Sequence, residues 1–326
     1  MEKKKGHLPS ISIVIVAYYT GPLLWRALAS ALGQEGIKEV ILVDNGNWPH
    51  ILTELKDMAA TEGRLTLLTG HGNVGFATGC NLGAKAADGD ILYISNPDAI
   101  LPDGAALRLY REGQGKAGSK PWLIGGHLVD AAGKEQAGSR RNTLTPWTAL
   151  VEMLRLDRLA PRHPYFRRFN NHLEPRPEKT IQTPVISGAS MMTPRHNYFA
   201  IGGMDERYFL HVEDIDFCLR FREGGGEVYY CPHVDIVHPK SSSRVSKIKV
   251  ERLKAQSMTR YFRRHFSTQY PMGFVSVVSG LIWVGFGIRS TKILLRRAFG
   301  VIGIHRRYGL TGAKRLWRKR KSSQEK

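Results

Sequence analysis

Within the first hundred residues, runs of aliphatic and β-branched side chains alternate with stretches whose apolar residues recur at helical spacing. ISIVIVA (11–17), VILV (40–43), RLTLLT (64–69) and DILYIS (90–95) read as buried strands. LLWRALASAL (23–32) and the polar-faced stretch 49–61 read as the helices between them. Parallel neighbours need a crossover, and a helix is the usual one, so this rhythm predicts an α/β fold with a Rossmann-like, mainly parallel sheet flanked by helices. Ligands of open α/β sheets bind beyond the carboxyl ends of the strands. Asp44 in VILVDNGN and Asp98 in DILYISNPDA stand at two such ends.

Each of these segments has a plain reading beside a chemical one. Asp44 can accept hydrogen bonds from a ribose hydroxyl or a pyrimidine imide, although Asp-Asn-Gly is also an ordinary turn. Residues 72–79 form a glycine-rich turn expected to lead into a helix at CNLGAKAA. Such a turn lets backbone N–H groups approach an anion, and a tight turn without a ligand accounts for it equally. In Asn96-Pro97-Asp98, proline stiffens the strand exit and Asp98 projects one hard oxygen ligand. His238 leaves a later strand, 227–238, before a serine-rich loop. A carboxylate beside an imidazole suits a divalent cation, Mg²⁺ or Mn²⁺, carried mainly by a diphosphate.

After residue 120 the rhythm changes. WLIGGHLVD and the segment around 138–141 look like short antiparallel strands, 147–159 like a helix in an irregular insert, and 184–192 like a strand. Glu213-Asp214-Ile215-Asp216 opens another helix. Acidic residues there complement the helix dipole, which explains at least one of the three. Two adjacent carboxylates behind His211 and Tyr208-Phe209 exceed what capping needs. A partly desolvated one would have a raised pKa and could act as general base toward a hydroxyl.

Net charge is +20, and its location matters more than its size. Up to position 238, 26 basic residues cancel 26 acidic ones; positions 239–326 hold 22 basic residues against Glu251 and Glu325. A basic segment on a neutral body calls for a polyanionic surface, either anionic lipid or nucleic acid. The segment comprises a basic helix (247–266), a 15-residue uncharged stretch (274–288) and a basic amphipathic run (292–307). Fifteen residues fall short of the roughly twenty of a membrane span, so an interfacial or re-entrant segment is expected. Long aliphatic runs and the absence of zinc spacing or a nucleic-acid motif favour lipid, and no nucleic acid is expected as a partner. The alternative is a catalytically silent basic binding protein. Cys80, Cys218 and Cys231 share no CxxC spacing and fit buried thiols in a reducing compartment. MEKKKGHLPS lacks a signal-peptide core, so a cytoplasmic location is expected.

The ordered blocks VDNGN, GNVGFATGCNLGAKAADGDILYISNPDA, SGASMMTPRHNYFAIGGMDERYFLHVEDIDFCLR and VHPKSSS resemble inverting family 2 glycosyltransferases of the GT-A fold. The similarity is to the branch containing rhamnosyltransferases of bacterial polysaccharide assembly, and it covers about residues 11–245. It implies a GT-A domain over 1–245, with a nucleotide half (about 11–120) and an acceptor half (about 121–245), ahead of a basic helical region (246–326). On this resemblance the donor nucleotide lies against Ala17, Tyr18, Asp44, Asn45, Asn73, Gly75, Asn81 and Asn96. Asp98 and His238 hold the cation, Asp214 is the catalytic base, and His211 and Glu213 meet the acceptor. The implied donor is a nucleotide diphosphate sugar, with dTDP-L-rhamnose favoured and UDP-hexoses or galactofuranose open. The implied acceptor is a polyprenyl-linked glycan at the inner face of the cell membrane. Asn96 stands where the standard DxD motif has its first acid, and Tyr19 where many members carry Asn. A nucleotidylyltransferase, the other enzyme class with such a sheet, would carry a glycine-rich basic loop after the first strand, and AYYTGP is not one.

Overall fold

The computed structural model describes residues 9–159, 163–239 and 245–296. Its chain order is β1 (Ile11–Ala17), α1 (Leu23–Leu32), β2 (Ile37–Asp44), α2 (Pro49–Thr61), β3 (Leu65–Leu68), α3 (Phe76–Ala86), β4 (Ile91–Ser95), α4 (Ala105–Ala117) and β5 (Trp122–Val129). There follow β6 (Arg140–Arg141), α5 (Pro146–Leu154), β7 (Ile181–Gln182), β8 (Val185–Ile186), β9 (Ser190–Pro194), α6 (Arg195–Ala200), α7 (Glu213–Glu223), β10 (Glu227–Val237) and α8 (Lys247–Phe266). A final helix, α9, spans Phe274–Arg296. The main sheet runs β3-β2-β1-β4-β9-β5-β10-β7, and β6 pairs with β8 separately.

The sequence rhythm maps directly onto the first half. Strands β3, β2, β1 and β4 are mutually parallel, and every residue of β1 is buried because helices cover both faces. Helix α1 contributes Leu24, Leu28, Ala31 and Leu32 to the core cluster on one side of the sheet. Helix α3 packs on the other side so closely that a Cβ on Gly83 would sit 2.3 Å from Val14 Cγ1, so a larger residue there would lift the helix off the sheet. The three cysteines are free and buried.

The structure departs from the sequence reading in four places. Residues 122–130, expected as a short antiparallel strand, form the eight-residue interior strand β5, parallel to β10 and antiparallel to β9. Gly125-Gly126 interrupted its hydrophobic pattern, yet both glycines are needed because Ser190 O and Ile236 Cδ1 press within 2.8 and 2.5 Å of where a Cβ would be. Helix α3 begins at Phe76 rather than at Cys80. Helix α5 stops at Leu154, where Arg155 turns left-handed at φ 55°. The 15-residue apolar stretch is part of the continuous 23-residue helix α9, long and apolar enough to cross a membrane by length and composition, with 22% of its most apolar window buried. The amphipathic run beyond Arg296, the N-terminal segment up to Leu8 and the serine-rich loop at 240–244 lie outside the described residues.

Candidate active site

Strand β4 ends at Ser95, and the Asn96-Pro97-Asp98 turn closes with Ala99 N donating to Asn96 O (3.1 Å). Ile100 then bridges to Val237 at the end of β10, which brings His238 beside the turn. The His238 ring is oriented from behind. Gln136 Nε2 donates to the His238 carbonyl, which leaves Gln136 Oε1 as acceptor for Nδ1 at 3.0 Å. With the proton on Nδ1, the Nε2 lone pair faces the turn, 3.1 Å from Asp98 Oδ1 and 3.1 Å from Asn96 Nδ2. An imidazole lone pair converging with a carboxylate oxygen is a donor set that a cation would complete. Among the described residues no third His, Cys, Asp or Glu joins them.

A second acidic cluster forms at the start of α7. His211 and Val212 both have positive φ (67° and 74°), which is costly for residues with a Cβ and unusual for a β-branched valine. This bend is held by Phe76 N donating to Phe209 O at 2.9 Å. Gly75, at φ 88°, lets the two loops meet: a Cβ there would lie 2.6 Å from Phe209 O. Asp214 is enclosed by donors. Its Oδ2 accepts from Arg141 Nη2 (2.7 Å) and Gly188 N (3.1 Å), and its Oδ1 from Ile215 N (2.8 Å). Burial pushes its pKa up, but Arg141 and the backbone N–H groups outweigh this and hold it below the usual aspartate value. Glu213 behaves oppositely. Its Oε2 is buried without a partner, and burial with the neighbouring Asp214 charge raises its pKa to about 8. His211 is lowered to about 4, first by burial and then by Lys254. The raised carboxyl expected at this cluster is therefore Glu213, not Asp214.

Two cavities meet between these clusters. One, about 780 Å³, is lined by Tyr18, Asn45, Asn73, Gly75 and Asp98, with further residues of α8 and α9. The other, about 650 Å³, is lined by Glu213, Asp214 and Arg141. Asn96, His211 and His238 line both. Ten of the thirteen residues singled out by sequence thus face this double cavity.

Three do not. Asn81 is turned inward: its amide donates to Met204 O (2.8 Å) and Glu206 Oε1 (2.9 Å) and accepts from Tyr198 Oη (2.6 Å) and Met204 N (3.0 Å). All its hydrogen-bonding capacity goes to clamping α3 onto the 203–206 loop. Asp44 is 4% exposed, and its carboxylate is occupied by Gly46 N, Asn47 Nδ2 and Thr69 Oγ1, the turn role that its motif also allowed. Ala17 is buried, and its carbonyl holds Asn45 N at 2.9 Å, so it shapes the wall without lining it. Sequence reading missed Arg141, since nothing in a Gly-Ser-Arg-Arg strand marks a guanidinium aimed at a carboxylate 73 residues away. It also missed the part of α9 in the cavity wall, although Arg289, Lys292, Ile293 and Arg296 follow the spacing of one helical face.

Residues 12–114 match the family model described as glycosyl transferase family 2. The N-acetylglucosaminyl-diphospho-decaprenol L-rhamnosyltransferase of Mycobacterium tuberculosis (strain H37Rv) is 28% identical over 257 residues, covering 72% of this chain and 77% of that protein. Rhamnosyltransferase WbbL of Escherichia coli (strain K12) is 28% identical over 93 residues, 27% of this chain and 35% of that protein. The fold is shared with the mannosyltransferase PcManGT from Pyrobaculum calidifontis, solved with GDP-Man and Mn²⁺, at a TM-score of 0.54 and 14% identity over 90% of this chain and 80% of that one. It is shared equally with GalNAc-T7, solved with UDP, GalNAc and Mn²⁺ (TM-score 0.54, 14% identity, 86% of this chain), though the chain spans only 55% of that protein. Sequence blocks, sheet order and these likenesses agree: residues 12–114 match glycosyl transferase family 2, the chain has the GT-A fold, and it is similar to rhamnosyltransferases over most of its length.

Proposed function

We propose that this transferase moves L-rhamnose from dTDP-L-rhamnose, with inversion, onto a hydroxyl of a polyprenyl-diphosphate-linked glycan at the inner face of the cell membrane. The observation that carries the reading is the junction of the two cavities, with Asn96, Asp98 and His238 on one side and the Glu213-Asp214 pair on the other. That arrangement suits a donor diphosphate held beside an acceptor hydroxyl. The names of the relatives support the sugar and the lipid.

Asp214 is the base. Its depressed pKa keeps it ionised, and Arg141 and Gly188 N fix its carboxylate while the acceptor oxygen attacks the anomeric carbon. Glu213, protonated below about pH 8, spares the site a second adjacent charge and can donate to an acceptor oxygen. A divalent cation on Asp98 and His238 would offset charge developing on the leaving diphosphate. Nδ1 of His238 stays tied to Gln136, which keeps Nε2 directed at the Asp98 side. Asn45 Nδ2 donates to Gly75 O, and His71 reaches Asn45 Oδ1, so the nucleotide wall is rigid before donor arrives.

The test is a donor panel with Mn²⁺ or Mg²⁺ and a short-chain prenyl-diphosphate-linked N-acetylglucosamine. Transfer from dTDP-L-rhamnose with an inverted product anomer is expected; transfer from a UDP-hexose alone would refute the sugar assignment. Asp98→Ala should weaken dTDP affinity in the presence of Mn²⁺ about tenfold or more by titration calorimetry, about 1.4 kcal/mol. Equal affinities with and without Mn²⁺ in the parent protein would remove the cation from the reading.

Helix α9 supports the membrane location. Val277, Leu281, Val284, Ile288 and Leu295 make an exposed apolar stripe at 3.6-residue spacing, and the chain beyond it is strongly basic. The opposite face packs Val275, Val278 and Ile282 into the core cluster that includes α7. A spanning helix would lose that packing, so α9 lies in the interface. Val277→Glu combined with Val284→Glu and Ile288→Glu should cut flotation with anionic vesicles at least tenfold with an unchanged circular dichroism spectrum. Undiminished flotation would defeat the interfacial assignment.

A further inference from the structure

The first cavity holds more positive charge than its proposed donor needs. Lys247 and Lys249 on the first turn of α8, and Arg289, Lys292 and Arg296 on α9, line it against only two carboxylates, Asp98 and Glu251, among the described residues. A donor diphosphate brings about two negative charges, and the divalent cation that accompanies it cancels them. The excess on the helical wall is left over.

Arg289, Lys292 and Arg296 are solvent-accessible, but they leave α9 on the side that lines the cavity rather than on the Val277–Leu295 stripe. Arg289 and Ile293 follow Ile282 by seven and eleven residues, so they extend the side of the helix that carries Ile282, away from the Val277–Leu295 stripe. An Arg289 Nε–Glu251 Oε2 ion pair at 2.5 Å ties the two helices, which fixes the spacing of the cations across the wall. Between them lie Val250, Leu253 and Ile293, giving an apolar floor among the charges. Arg289 and Glu251 also line the second cavity, so the wall runs from one cavity into the other.

We propose that this wall is a second diphosphate site, taking the diphosphate of the lipid-linked acceptor, with its first isoprene units on the apolar residues and its sugar directed along Arg289 toward Asp214. The proposal rests on the transferase reading above and deepens it: acceptor recognition belongs to the α8–α9 pair. Two diphosphates then lie in one cavity, one on the cation at Asp98 and His238, the other on lysine and arginine.

Farnesyl diphosphate, a short lipid diphosphate without sugar, is the probe, titrated against the full chain below its micellar concentration. Lys292→Gln with Arg296→Gln, and separately Lys247→Gln with Lys249→Gln, should weaken its binding tenfold or more. They should raise KM for the prenyl-diphosphate-linked acceptor by a similar factor, leaving KM for the donor within twofold. Arg252→Gln with Arg260→Gln, exposed on α8 outside the wall, should change neither. Loss of dTDP binding with farnesyl diphosphate unaffected would assign the wall to the donor and overturn the proposal. Farnesyl monophosphate bound as tightly as the diphosphate would overturn it too, reducing the wall to a general headgroup contact. A parent protein that binds no nucleotide sugar would instead count against the transferase reading, while the farnesyl diphosphate titration would still decide the wall.

Discussion

Asp214→Asn is expected to lower turnover by about 10²–10⁴ while donor affinity stays within a few-fold, because general-base assistance acts on the chemical step and not on nucleotide binding. The amide keeps the shape and can still accept from Gly188 N, but it cannot take the hydroxyl proton. The neighbouring Glu213 makes the experiment decisive. Asp214 is held below the ordinary aspartate pKa, so it is ionised throughout the working range and its acid limb falls below about pH 4. Burial and the Asp214 charge raise the Glu213 carboxyl to about 8, so above that pH it adds a second negative charge beside Asp214. Turnover should therefore decline above about pH 8, and Glu213→Gln, which stays neutral, should abolish that alkaline decline and retain most activity at pH 7. The reverse assignment makes opposite predictions. With Glu213 as the base, turnover would rise through pH 8 and Glu213→Gln would be the more damaging change.

What sequence could and could not show follows from the range of the interactions involved. Strands β1, β2 and β4 were legible because burial on both faces demands an unbroken apolar run, and no tertiary detail alters that demand. Asp98 and His238 were legible as residues at strand exits, where side chains escape the sheet. Strand β5 was legible as a strand but not as an interior one parallel to β10, since its glycines serve neighbours, Ile186 and Ile236, that come from distant segments. Asn81 shows the same limit from the other side. It sits in a motif block like its neighbours Asn73 and Gly75, yet a helix turn later its side chain points at Met204 rather than at the cavity. Arg141 and the α8–α9 wall are long-range partners of residues that sequence had already found. The identity of an acidic site was readable; the cations that tune it were not.

The second large effect is on stability, and it concerns how the C-terminal helices are joined to the catalytic domain. Asp216 is fully buried two residues after Asp214. Its Oδ2 accepts from Arg220 Nε at 2.6 Å, and its Oδ1 meets His265 Nε2 of α8 at 2.7 Å and Tyr208 Oη at 3.2 Å. Arg220 reaches on to Ile201 O and Gly203 O, so one carboxylate links α7, α8 and the 201–208 loop. Asp216→Ala would leave the Arg220 guanidinium, 14% exposed, without its counter-charge. Breaking a buried pair from one side typically costs about 3–5 kcal/mol, and for a chain of this size that lowers Tm by on the order of 10 °C. His265→Gln, which keeps a hydrogen-bond donor, should cost much less, about 1 kcal/mol. Burial favours the neutral form of Asp216, but His265 and Arg220 outweigh it, and the folded-state pKa lies below the usual 3.8. The stabilisation is thus complete above pH 3.8 and is lost as pH falls through the folded value. In Asp216→Asn that acid-side loss should shrink, as measured by Tm between pH 3 and pH 6. Because α8 carries Lys247 and Lys249 and α7 carries Asp214, a loosened Asp216 joint should raise the acceptor KM before it lowers donor affinity. Unchanged Tm and acceptor KM in Asp216→Ala would mean that the helical pair is held to the domain by its apolar contacts alone, through Tyr261, Phe262 and Phe266.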